Sequence, residues 1–231
     1  YPWDGREKVE EGRAPEEFNP VASYIRYIDL TEEQFNEKMF ISFQGVESAF
    51  ALWVNGKFIG YSTDTFTPSE FDISQAVRVG NNKLAVQVFK WSAASWLEDQ
   101  DFWRFSGIFR DVYLYTIPKV HISDIFVKPY LDESFTSCNI AVKVKLLGDQ
   151  GRLFINILDK EGNEVKSLER EAEAGEFYID LDNPRLWSSE DPYLYTIKIN
   201  VLDRENNHQE TVIQRFGCRR FELKNNMMHI N

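Results

Sequence analysis

Ala49-Phe50-Ala51-Leu52-Trp53-Val54-Asn55-Gly56-Lys57-Phe58-Ile59-Gly60-Tyr61 decides the fold class. Two β-rich runs flank an Asn-Gly pair. Both residues of that pair tolerate the positive φ of a type I′ turn, so the stretch predicts a β-hairpin. Outward from it, residues 24–29, 39–46 and 83–90 read as strands. Residues 107–116 predict one long strand, with Ile108, Arg110, Val112 and Leu114 on one face and Phe109, Asp111, Tyr113 and Tyr115 on the other. The best helical pattern is residues 31–38, where Thr31 and Gln34 can form a capping box.

Pro118 marks a boundary, and the strand rhythm restarts after it. Residues 121–128, 139–147, 152–158, 176–181, 193–203 and 209–222 read as strands, with a turn at Asp159-Lys160-Glu161-Gly162-Asn163. Short strands about ten residues apart with turn chemistry between them indicate sandwiches or barrels. The chain is therefore expected to be all-β, with two β-sandwich domains in tandem. Residues 1–117 are expected to form a jelly-roll-like sandwich, and residues 118–231 an immunoglobulin-like one.

The 231 residues include 18 Phe, 10 Tyr and 6 Trp, a load of aromatic surface that must find burial, so most of the chain is expected to be ordered. The net charge of −11 offers no basic stripe for phosphates or anionic lipid, which argues against nucleic acid and membrane partners. No apolar run approaches the ~20 residues of a membrane helix. The chain opens Tyr1-Pro2-Trp3-Asp4, without Met or a basic, apolar leader, which predicts a start inside a longer protein and leaves the compartment open. Cys138 and Cys218 are expected to be reduced and independent, and His121, His208 and His229 stand in no metal-ligand spacing. No GxSxG, P-loop or dinucleotide fingerprint is present.

The densest polar constellation is residues 91–104, where Glu98, Asp99 and Asp101 lie among Trp91, Trp96, Phe102 and Trp103. A sugar suits such a place, because its C–H face packs on an aromatic ring while an acid accepts from its hydroxyls. The other reading is an ion-paired loop with its aromatics in the core. Arg104 and Arg110 are expected to neutralise Glu98 and Asp99. Trp96 and Trp103 are expected to anchor the loop by burial, leaving Asp101 free to point outward. Residues 66–73 and 183–193 read as structural connections, the latter with Trp187 as a plug. A glycosidase needs two carboxylates about 5 Å apart if retaining, or wider if inverting. The 37 acids single out no such pair.

Gly45-Val46-Glu47-Ser48-Ala49-Phe50, Trp53-Val54-Asn55-Gly56-Lys57-Phe58-Ile59-Gly60-Tyr61-Ser62, Pro68-Ser69-Glu70-Phe71-Asp72 and Leu97-Glu98-Asp99-Gln100-Asp101-Phe102-Trp103-Arg104 closely resemble the N-terminal region of bacterial β-galactosidases of glycoside hydrolase family 2. Residues 183–195 and Phe216-Gly217-Cys218-Arg219-Arg220-Phe221 look like that family's next domain. The Asn-Gly-x-x-x-Gly-Tyr hairpin recurs in β-glucuronidases and β-mannosidases; the Glu-Asp-Gln-Asp run is the β-galactosidase form.

The resemblance implies a sugar-binding jelly roll, an immunoglobulin-like domain and then a catalytic (β/α)₈ barrel carrying both catalytic glutamates. No catalytic residue is therefore expected in this chain. The implied parent is a retaining β-galactosidase acting on terminal β-D-galactosyl groups, often a homo-oligomer, with sodium and magnesium as cofactors. Only Asp101 carries over as a site residue: it would contact galactosyl hydroxyls and help hold sodium with barrel ligands. It is not expected to hold sodium tightly alone, because a hard cation wants about six oxygens. The competing readings are a self-sufficient carbohydrate-binding module, a β-glucuronidase or β-mannosidase relative, and a purely structural pair of sandwiches that orients subunits.

Overall fold

The computed structural model describes residues 5, 7–98, 103–148, 151–171 and 175–231. The chain divides into two compact units, Tyr1–Ile117 and Pro118–Asn231.

The first unit contains β1 (Val21–Leu30), α1 (Glu32–Phe35), β2 (Lys38–Phe43), β3 (Val46–Glu47), β4 (Ala49–Val54), β5 (Lys57–Ser62), β6 (Ser69–Asp72), β7 (Gly80–Phe89), a 3₁₀ turn (Ala93–Trp96), β8 (Gly107–Ile108) and β9 (Val112–Ile117). A sheet ordered β1-β7-β4-β5 accompanies one ordered β6-β2-β9, and β3 pairs with β8. The Asn-Gly turn joins β4 to β5 with φ of 51° at Asn55 and 83° at Gly56. The Asn55 side chain donates to Ala76 O and Asn82 Oδ1 and accepts from Lys83 N, so the hairpin tip is tied to its neighbours. Alternation puts Phe50, Leu52 and Val54 of β4 and Leu84, Val86 and Val88 of β7 in one core with Met39, Ile41 and Phe43 of β2. Burying each such aliphatic or aromatic side chain contributes roughly 1.5–3 kcal/mol. The capping box at Thr31 and Gln34 is present, but the helix is a single turn of 4 residues.

The expected strand over residues 107–116 is two strands. Between them Phe109 N donates to Gly45 O, and Gln44 N donates to Asp111 O. A Cβ on Gly45 would meet Phe109 and Arg110 side-chain atoms at 2.9 Å, so the chain leaves the ladder to pass over a glycine that only just clears it.

The second unit contains β10 (His121–Leu131), β11 (Ser137–Leu147), β12 (Arg152–Leu158), β13 (Glu164–Glu171), β14 (Gly175–Asp182), β15 (Tyr195–Leu202), β16 (His208–Phe216), β17 (Phe221–Lys224) and β18 (Met227–Ile230). Its sheets are β10-β11-β14 and β13-β12-β15-β16, with β17 and β18 as a separate hairpin. Leu153, Ile155 and Ile157 of β12 and Ile197, Ile199 and Val201 of β15 meet Ile140, Val142 and Val144 of β11 in the core. This is a three-on-four antiparallel sandwich of the immunoglobulin-like kind.

Two expectations need correction here. The strand read over residues 209–222 stops at Phe216, because a Cβ on Gly217 would strike the Trp187 ring at 2.9 Å; Cys218 instead makes an isolated parallel bridge to Leu186. The two cysteines are free thiols, but they are not independent. Both are fully buried in one core, and the neighbouring Cys138 thiol, together with burial, pushes the Cys218 thiol up.

Candidate functional site

The acidic loop leaves β7 and returns at β8. Its first residue after Lys90 is Trp91, 7% exposed. The Asn19 side chain holds the Trp91 backbone on both sides: its Nδ2 donates to Trp91 O at 2.9 Å, and its Oδ1 accepts from Trp91 N at 3.0 Å. The 3₁₀ turn follows, begun by Ser95 Oγ accepting from Ser92 N. Trp96 is half-buried and donates Nε1–H to Arg13 O at 2.6 Å. The N-terminal arm thus grips the loop at two points.

Glu98 is bound by Thr65, which donates both its N–H (3.3 Å) and its hydroxyl (2.7 Å). Thr65 is 1% exposed, so this carboxylate is anchored on the core rather than presented to solvent. Arg110 does not neutralise it. Its Nη1 donates to the carbonyls of Phe66 (2.8 Å) and Gln44 (3.3 Å), because the bent segment 109–111 carries it the other way. Arg104 lies over the Trp91 ring at 5.8 Å. Glu47 accepts from Ser106 N at 2.9 Å and closes the base of the loop. Nearby, Asp64 accepts from Phe66 N, Thr67 N and the Thr67 hydroxyl, and the hydroxyl's hydrogen bond is the main cause holding its carboxyl below the usual range. Trp103 is not an anchor: it is 79% exposed. Burial is supplied instead by Trp91.

Glu47, Phe66, Trp91, Ser95, Glu98, Trp103 and Arg104 enclose a cavity of about 20 Å³, room for one water. Trp91 Nε1 and Ser92 Oγ are buried without a hydrogen-bond partner among the described residues. Asp101 and Asp99 lie outside the described residues. Among the described residues no three His, Cys, Asp or Glu side chains gather, and Glu47 and Glu98 are already hydrogen-bonded.

The stretch 66–73 does what turn chemistry requires. Asp72 Oδ1 accepts from Ser74 N and Oγ, and Ser69 Oγ meets Ser62 Oγ at 2.7 Å. In the second unit, the connection 183–193 is closed by its own residues. Arg185 Nε pairs with Asp191 at 2.9 Å, Tyr195 Oη accepts from Arg185 N, and Trp187 N donates to Cys218 O.

The sugar binding domain model of glycosyl hydrolases family 2 matches residues 8–118, and a second model of glycosyl hydrolases family 2 matches residues 120–219. The chain belongs to glycosyl hydrolase family 2. Among relatives of this family, the beta-galactosidase of Clostridium acetobutylicum is 48% identical over 99% of the chain, which spans 26% of that protein. The beta-galactosidase of Halalkalibacterium halodurans is 45% identical over the whole chain, which spans 23% of it. This family 2 chain thus has about a quarter of the length of the relatives it matches. Its fold is also that of a solved Bifidobacterium dentium beta-glucuronidase, with a TM-score of 0.76 at 24% identity, covering 91% of this chain and 42% of that one.

Proposed function

We propose that this chain is the N-terminal, non-catalytic part of a retaining β-galactosidase that hydrolyses terminal β-D-galactosyl groups. The observation that carries the proposal is 48% identity along almost the whole chain to a protein named beta-galactosidase and four times as long. In this reading the catalytic acids belong to polypeptide outside the chain. The loop between β7 and β8 contributes one side chain to the sugar, Asp101, whose carboxylate would accept from galactosyl hydroxyls. Support comes from the way the loop's flanks are held: Asn19, Arg13, Thr65 and Ser106 fix it on both sides of the acidic run. A sodium ion beside Asp101 would take its other oxygens from outside the chain.

The experiment uses the protein encoded by the complete reading frame. Asp101→Ala should reduce kcat/KM for a β-galactoside by about 2–4 kcal/mol in barrier, the scale of a lost charged hydrogen bond with its partner left unpaired, and should weaken the response to sodium. Folding should be nearly unchanged. Wild-type kinetics and sodium response, or a variant that does not fold, would remove Asp101 from the site. Calorimetry of the 231-residue chain with galactose and lactose should show no binding at low millimolar concentration. Clear saturation would turn the reading toward a self-sufficient carbohydrate-binding module.

A further inference from the structure

The second unit carries a cleft of about 760 Å³, within the range of roughly 300–1,000 Å³ typical of small-ligand sites. It lies where β10, β16 and the segment leading into β17 meet, and it belongs entirely to the second unit. Lys128, Arg215, Arg219 and Arg220 line it, and among the described residues no carboxylate does. That is unexpected in a chain whose net charge is −11. Arg220 has a partner in Glu222 at 3.3 Å. The other three cations pair with no acid among the described residues.

Two of those cations are held in place without an acid. The Arg219 guanidinium lies 4.6 Å from the Trp187 ring centre, and Lys128 Nζ lies 4.9 Å from that of Tyr130. Trp187 is itself fixed by its backbone bond to Cys218 and by Gly217, where a side chain would displace the ring. A stacked guanidinium keeps its in-plane N–H edges for a planar or tetrahedral oxyanion, so Arg219 is a preset fork. Tyr130 and Phe221, 49% and 62% exposed, add apolar ring faces to the same cleft. An extended peptide is a poorer fit. The open edge strand β10 carries Pro129, which has no N–H to offer an added strand.

We propose that this cleft binds a sugar bearing a carboxylate or phosphate group, with Arg219 and Arg215 on the oxyanion and Tyr130 and Phe221 against the ring. The anion half rests on the cleft alone. The sugar half rests also on the reading of the chain as part of a saccharide hydrolase.

The test is calorimetric titration of the 231-residue chain with galactose 6-phosphate and with galacturonate, each against neutral galactose and inorganic phosphate. At least one charged sugar should bind saturably and at least about tenfold tighter than either control, with affinity falling as salt is raised. Which of the two binds identifies the oxyanion. Arg219→Gln should weaken binding by about tenfold or more, and Arg215→Glu should abolish it. Both side chains are exposed, so both variants keep the fold, checked by circular dichroism. Absence of binding by either charged sugar overturns the proposal, as does binding indifferent to both substitutions. Inorganic phosphate binding as tightly as the sugars overturns the sugar half. The Asp101 kinetics read a different unit, so either result stands without the other.

Discussion

The loop after β7 and the connection after β14 use the same residue types, a tryptophan among acids, serines and an arginine, and settle them differently. The connection after β14 closes on itself and its own unit. Asp191 takes Arg185, the Tyr195 hydroxyl takes the Arg185 N–H, and the Tyr193 hydroxyl takes Lys160 N–H. The loop after β7 is held from distant points of the chain, by Asn19, Arg13 and Thr65, and keeps Trp91 Nε1 and Ser92 Oγ buried without partners among the described residues. It also sets Leu97 and Trp103 out in solvent, at 83% and 79% exposure. A connection that only joins strands satisfies its polar groups internally. A loop that turns apolar side chains outward offers surface to a partner, as the proposed site would need.

Substitutions at matched positions can break that contrast. The largest effect belongs to Trp91→Ala, which empties a buried indole site and should lower stability by about 3–5 kcal/mol in chemical denaturation. A loss below about 1 kcal/mol would mean the loop is not seated on Trp91 at all. Asn19→Ala removes two hydrogen bonds to the Trp91 backbone and should cost about 1–3 kcal/mol. It should also raise proteolysis within residues 91–104, while the connection 183–193 stays protected. Tyr195→Phe should cost about 1–2 kcal/mol, because the Arg185 N–H loses its acceptor. If Tyr195→Phe is silent, the second connection is less closed than its geometry.

Trp103→Ala, by contrast, should stay within about 0.5 kcal/mol, as expected for an exposed side chain. A turn in the second unit sharpens the comparison through pH. Hydrogen bonds from Ser134 above all, and from the Ser137 N–H, lower the Asp132 carboxyl from 3.8 to about 2. A depressed folded pKa gives stability that is present above the unfolded value and lost as pH falls through the folded one. The difference in melting temperature between the parent and Asp132→Asn should therefore be constant above pH ~4 and shrink between about 4 and 2. A difference that persists to lower pH would assign the effect to geometry instead of charge.

What could be read from the residues was what is local. The Asn55-Gly56 turn announces itself because two adjacent residues carry the whole conformational requirement. β12 and β15 are legible because burial on one face forces alternation. β13 was not anticipated: its eight residues, Glu-Val-Lys-Ser-Leu-Glu-Arg-Glu, form an edge strand largely exposed on both faces, so no face imposes an apolar pattern. The break after Ile108 depends on Gly45 and the stop at Phe216 on Trp187, partners that adjacency in sequence does not reveal. The loop's aromatics were visible as a cluster, but which ring is buried is settled by Asn19, 72 residues away from Trp91. The cationic cleft went unseen for the same reason, since Lys128 and Arg219 meet only after β10 and β16 are packed.

The hairpin tip has a consequence for chemical ageing. Asn-Gly is the dipeptide most prone to deamidate, because the glycine nitrogen meets little hindrance as it attacks the asparagine side-chain carbonyl, expels ammonia and closes a succinimide. Here the Asn55 amide is held at both ends, its NH₂ on Ala76 and Asn82 and its oxygen on Lys83 N–H, so it cannot swing onto the Gly56 nitrogen without breaking three hydrogen bonds. Damage at this site then requires the hairpin tip to open, and the rate at which isoaspartate accumulates at position 55 becomes a slow clock for that local opening.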